Sequence, residues 1–141
     1  MNFNDEIFNK IQNSIQAARD AVKLKEKIEN DIFEVLSMVS KITDDAIGFD
    51  LLINDNENPF FLGCEKIIFI NKKSNPYNKF ILCGYSIDEM TGYPVKLESE
   101  VNVFTCNDDE TLKLTLADFI TSKENSIKIV KLISLEDDIP F

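Results

Sequence analysis

The residues best suited to chemistry stand together at the end of the sequence, as Glu136-Asp137-Asp138-Ile139-Pro140-Phe141. Their chemistry is recognition rather than bond-making. The Phe141 ring can fill an apolar pocket. A terminal carboxylate on the same residue can accept hydrogen bonds from an Arg or Lys at the pocket's rim. Pro140 fixes φ, so less freedom is lost on docking. Glu136, Asp137 and Asp138 can then meet a basic ridge on the partner.

Elsewhere the side chains give catalysis little to work with. The sequence has no histidine, which removes the commonest general base and the favoured zinc ligand. Cys64, Cys83 and Cys106 are odd in number and lack metal-ligand spacing. No neighbour is in place to activate a thiol. Cys83 and Cys106 sit within apolar segments, where a buried, reduced thiol is the default, which makes the cytoplasm the natural compartment. Four glycines form neither a Walker nor a Rossmann pattern. The acid pairs Asp44-Asp45 and Asp108-Asp109 read as a helix end and a helix start. The expectation is a protein that is not an enzyme and takes no metal or cofactor.

The terminal segment resembles the C-terminal tail of bacterial single-stranded DNA-binding proteins, which ends in Asp-Asp-Asp-Ile-Pro-Phe. The resemblance covers the last handful of residues. Leu135 and Glu136 stand where that family usually has Phe and Asp, and no long linker precedes them, so the reach is short. In that family the tail does not bind DNA but recruits repair, replication and recombination enzymes. The resemblance implies a basic protein partner with an apolar pocket rimmed by Arg or Lys, either recruited or competed for. Competition would suit a phage or mobile-element protein. The rest of the family's equipment, an OB-fold with a basic groove and stacking aromatics, is missing. With 25 acidic against 15 basic residues the net charge is -10, and there is no Trp. Such a surface repels phosphate backbones, so direct nucleic-acid binding is not expected.

A second resemblance lies in the middle and C-terminal half. Gly92-Tyr93-Pro94-Val95, a strand ending near Cys106, an acidic helix start at Asp108–Glu110 and a terminal helix look like small bacterial immunity-type proteins. Those mask a cognate toxin. This implies an alternative, an acidic inhibitor covering a basic toxin or nuclease, with charge steering its association. Asp88, Glu89 and Tyr93 then form a candidate interaction loop beside Gly92 and Pro94. The plainer reading of that loop is a hairpin connection with Tyr93 packed on the sheet. Phe60 could likewise point outward, although burial of both Phe60 and Phe61 is the simpler expectation.

These residues need a scaffold, and periodicity supplies one. Residues 5–43 hold no Gly or Pro. Ile7, Phe8, Ile11, Ile15, Ala18 and Val22 keep helical spacing, as do Ile28, Ile32, Val35, Leu36, Val39 and Ile42. Asn4 or Asp5 can cap the start. Between the two stripes the face turns polar at Lys23–Lys27. One continuous helix would run roughly 55–60 Å. The expectation is therefore a break or bend near Lys23–Lys27, giving a helix or helix pair, with a homodimer through an exposed stripe as the other solution. After Gly48 the period becomes two, with strands expected at Phe49–Ile53, Lys66–Ile70, Lys79–Tyr85 and Val95–Val103. Helices are expected from Asn107–Glu110 onward and again after Ser122–Ser126. The fold class is α+β: an N-terminal helix or pair, an antiparallel sheet of about four strands, two C-terminal helices and a short acidic tail. One domain spans 1–134, and the tail is 135–141. No apolar run reaches about 18 residues, and the first residues do not form a signal peptide.

Overall fold

The computed structural model describes residues 2–55 and 60–135. Helix α1 runs unbroken from Phe3 to Ile42, 40 residues. The expected break at Lys23–Lys27 does not occur. Leu, Lys and Glu are all good helix formers, so a polar patch changes what the surface meets without interrupting the backbone ladder. Asn2 is the N-cap, its side chain accepting from the Asp5 amide at 2.8 Å. Asp5 and Glu6 occupy the positive first turn, and Lys41 the negative last one.

The two halves of α1 live in different solvents. Residues 2–20 are exposed throughout. Ile28, Ile32, Val35, Leu36 and Val39 are buried in the core. Burial of each such side chain contributes roughly 1.5–3 kcal/mol before entropic costs. Beyond the C-cap Thr43 the chain turns at Asp44 and Asp45, both with positive φ (52° and 64°). Asp tolerates that region better than most residues, and the turn is closed by the Asp45 amide donating to Ser40 O at 2.8 Å.

Five strands follow: β1 (Ile47–Ile53), β2 (Lys66–Lys72), β3 (Asn75–Asp88), β4 (Gly92–Glu98) and β5 (Val103–Cys106). They form one antiparallel sheet in sequential order. The fifth strand corrects the sequence expectation. The run Val95–Val103 reads as a single alternating strand but is a hairpin folded at Ser99–Asn102. Ser99 explains it: its hydroxyl accepts from the Val101 and Asn102 amides, and its own amide donates to Asn102 O. Ser-mediated turns of this kind leave no break in a hydrophobic alternation. The connections left between the expected strands, 71–78 and 86–94, are shorter too. β2 and β3 are joined by Lys73-Ser74, and β3 and β4 by Glu89–Thr91. Leu82 is the extra residue of a bulge, since Ile68 pairs with Cys83 and Phe69 with Ile81.

The C-terminal half of α1, with α2 (Asp109–Thr121) and α3 (Lys123–Ser134), covers one face of the sheet. Leu112, Leu116, Ile129 and Leu132 meet Tyr85, Val95 and Leu97 there. Asp108 caps α2, accepting from the Thr111 amide at 2.7 Å. Ser122 alone separates the two helices and caps α3 through the Asn125 amide. The other face carries a smaller cluster, Phe61, Cys64 and Ile67 with Phe69 and Ile81, beneath the β1–β2 connection. Phe61 is buried there, while Phe60 is exposed.

Candidate functional site

The terminal segment Glu136, Asp137, Asp138, Ile139, Pro140 and Phe141 lies outside the described residues. What the structure supplies is its root. Helix α3 ends at Ser134, and Leu135 turns to extended backbone (φ -68°, ψ 137°). The buried Lys72 donates its ammonium to Leu135 O. The last described residue is thus held to β2 by a cation. Lys72 sits beside the β2–β3 turn because Ile70 before it points into the core and fixes the register.

The second candidate, the β3–β4 hairpin, is well defined. Asp88 Oδ1 accepts from the Met90 and Thr91 amides, both at 2.9 Å. Those bonds stabilise the ionised form and hold its carboxyl below the ordinary Asp value. Thr91 Oγ1 donates to Tyr93 O at 2.6 Å. Gly92 has φ +74°, and any Cβ there would lie 2.7 Å from Leu24 Cδ2 and 2.9 Å from Ile28 Cδ1. The turn is therefore pressed against α1, and the Tyr93-Pro94 peptide is cis. Asp88, Glu89 and Met90 are exposed at its tip. Tyr93 belongs to β4, and its ring packs on the main core. Its hydroxyl is buried without a hydrogen-bond partner among the described residues. Burial raises its pKa, and so do the nearby charges of Asp31, Asp109 and Asp108. The three loop candidates thus split, with two acids facing solvent and the tyrosine facing inward.

One polar network was not legible in the sequence. Glu29 Oε2 accepts from Lys66 Nζ and from Tyr85 OH, both at 2.6 Å. Lys25 pairs with Glu65 alongside. Burial pushes the Glu29 carboxyl up, but the hydrogen bonds from Lys66 and Tyr85 and the charges of Lys66 and Lys25 outweigh it and hold the group low. Tyr85 is fully buried and its hydroxyl is held well above the ordinary value, by burial first and by Glu29 second. The network bolts α1 to β2 and β3. With Lys66 and Tyr85 both bonded to Glu29 and Lys25 paired with Glu65, it is a structural fastening.

The thiols are equally quiet. Cys64, Cys83 and Cys106 are buried and free. Cys64 Sγ donates to Glu98 Oε2 at 2.7 Å, and burial together with that carboxylate pushes its pKa up to about 12. Burial raises Cys83 and Cys106 as well. A thiol kept protonated is a poor nucleophile. Among the described residues no three His, Cys, Asp or Glu side chains converge to hold a metal ion. None of the described helices is long and apolar enough to cross a membrane.

No protein-family model, curated protein or solved structure matches this chain.

Proposed function

We propose that the protein is a non-catalytic protein-binding module. Its folded acidic body carries Asp137-Asp138-Ile139-Pro140-Phe141 as a docking tail. The tail enters the pocket of a DNA repair or replication enzyme that normally receives the tail of the single-stranded DNA-binding protein. It either recruits that enzyme or competes for it.

One observation carries the reading: the residue order acid-acid-Ile-Pro-Phe, in which ring, rigid φ and negative charge are arranged for one apolar, basic-rimmed pocket. The body supports it in two ways. Its net charge of -10 repels nucleic acid and attracts a basic partner. Leu135, the residue from which the tail departs, is anchored by Lys72. The reading requires Phe141 to present its own free carboxylate. It also favours a reducing compartment, the cytoplasm, for three free thiols.

The exposed acids at the β3–β4 tip favour a second reading, an inhibitor that masks a basic toxin or nuclease. Capture from bacterial lysate with the wild-type chain, a Phe141 deletion and Glu89→Lys separates the two. The tail reading predicts that the deletion loses the captured enzyme and Glu89→Lys keeps it. The opposite pattern replaces the tail reading with the inhibitor.

A further inference from the structure

The exposed half of α1 carries an apolar stripe that none of the described residues covers. Phe8, Ile11, Ile15, Ala18 and Val22 recur at spacings of three and four, so they form one seam. Phe8 is 65% exposed and Ile11 54%. The stripe ends where the body begins, at Leu24, which packs on the core beside Gly92.

We propose that this seam pairs antiparallel with the same seam of a second copy, giving a two-fold dimer. Size, charge and shape all select a second copy in that orientation. Antiparallel pairing in register sets Phe8 against the partner's small Ala18, and Ile11 against its Ile15. Parallel pairing sets Phe8 on Phe8 and leaves Ala18 facing Ala18, with uneven layers. On one flank of the seam the same register brings Asp5 to the partner's Arg19, twice by symmetry. The acidic first turn of each helix then lies near the partner's Lys23, and the helix dipoles oppose.

The shape evidence lies on the other flank. A groove of ≈ 520 Å³ runs between α1, at Ala17, Ala18 and Ala21, and the hairpin tip at Met90. It is open because the helix presents alanines where it passes the hairpin. In the antiparallel register the partner's Phe3 and Ile7 lie on this flank and opposite this stretch. Phe3 is 75% exposed in the single chain. The overlap from Phe3 to Lys23 is about 30 Å long and spends the whole projecting half. An interface of this kind is isologous, so it closes at two copies.

Sedimentation velocity of the full chain across about 1–100 μM tests the pairing, and cysteine cross-linking tests its direction. The native thiols are buried and leave the assay clean. Wild type is expected to sediment as a concentration-dependent dimer. Ile15→Glu is expected to weaken it at least tenfold with an unchanged circular dichroism spectrum, because the residue is exposed in the single chain. Under mild oxidation a mixture of Ile11→Cys and Ile15→Cys chains should cross-link to each other far faster than either alone. A wild-type monomer at 100 μM, a dimer indifferent to Ile15→Glu, or rapid self-linking by Ile11→Cys alone would overturn the proposal. So would a monomer whose stripe binds anionic phosphatidylserine vesicles. None of these outcomes depends on the tail, so failure here leaves the docking reading intact.

Discussion

Replacing Glu29 by Gln should cost the fold about 1–2 kcal/mol at pH 7 and almost nothing in strong acid. The carboxylate oxygen accepts two short bonds, from Lys66 and Tyr85 at 2.6 Å each. A hydrogen bond to a charged group contributes about 1.5–3 kcal/mol, and a neutral one about 0.5–1.5. With Gln the Tyr85 bond becomes neutral and the Lys66 bond keeps only the ammonium's charge, a loss of about 2 kcal/mol together, part of which returns because a buried carboxylate no longer has to be desolvated. At about 2 kcal/mol per molar the urea midpoint should fall by roughly 0.5–1 M. The sign of the pH dependence follows from the low Glu29 pKa. The folded state binds this proton more weakly than the unfolded chain does. The stabilisation is therefore complete above the unfolded value of about 4.3 and is lost as pH falls through the folded one. The gap between wild type and Glu29→Gln should stay constant from pH 6 to 8 and close below about pH 4. Tyr85→Phe removes one of the lowering bonds, so in that background the pH-dependent gap should be smaller and should finish closing at a higher pH. Equilibrium urea unfolding followed by circular dichroism checks all three curves. A Gln variant as stable as wild type at pH 7, or a gap unchanged at pH 3, would refute the fastening role of the network.

Other expectations are simpler. Leu36→Ala and Leu116→Ala, each removing a fully buried side chain, should cost about 2–5 kcal/mol by urea unfolding, while Ile11→Ala should leave the stability of the single chain within about 0.5 kcal/mol. Gly92→Ala must hold a positive φ and push aside Leu24 and Ile28, so a loss of about 1–3 kcal/mol is expected from the same measurement. Native-state alkylation at pH 8 should leave Cys64 unmodified over hours, with its pKa near 12, and labelling should follow only on unfolding.

Much of the scaffold could be read in advance because its periods are long and clean. The stripe from Ile28 to Val39 gave the core face of α1, and the acids before Thr111 marked the start of α2. The errors have local causes. The polar patch Lys23–Lys27 resembles a break, yet its residues favour helix, so the chain runs straight through into solvent. A serine turn at Ser99 hides inside perfect alternation and conceals β5. The candidate loop was half legible. Gly92 and Pro94 announced a turn, but only the packing shows Asp88 and Glu89 outside and Tyr93 within. The Glu29, Lys66 and Tyr85 network joins residues up to 56 apart in sequence, and no spacing rule could assemble it. Ala17, Ala18 and Ala21 read as helix formers, and their role as the wall of a groove needs the hairpin beside them.

The most direct test of the docking claim is displacement. A fluorescent peptide carrying the tail of a single-stranded DNA-binding protein is bound to a purified repair enzyme that receives it, and anisotropy is followed as this protein is added. The full chain is expected to displace the peptide, and chains lacking Phe141 or carrying it as an amide are expected not to. Equal displacement by all three, or by none, would contradict the claim.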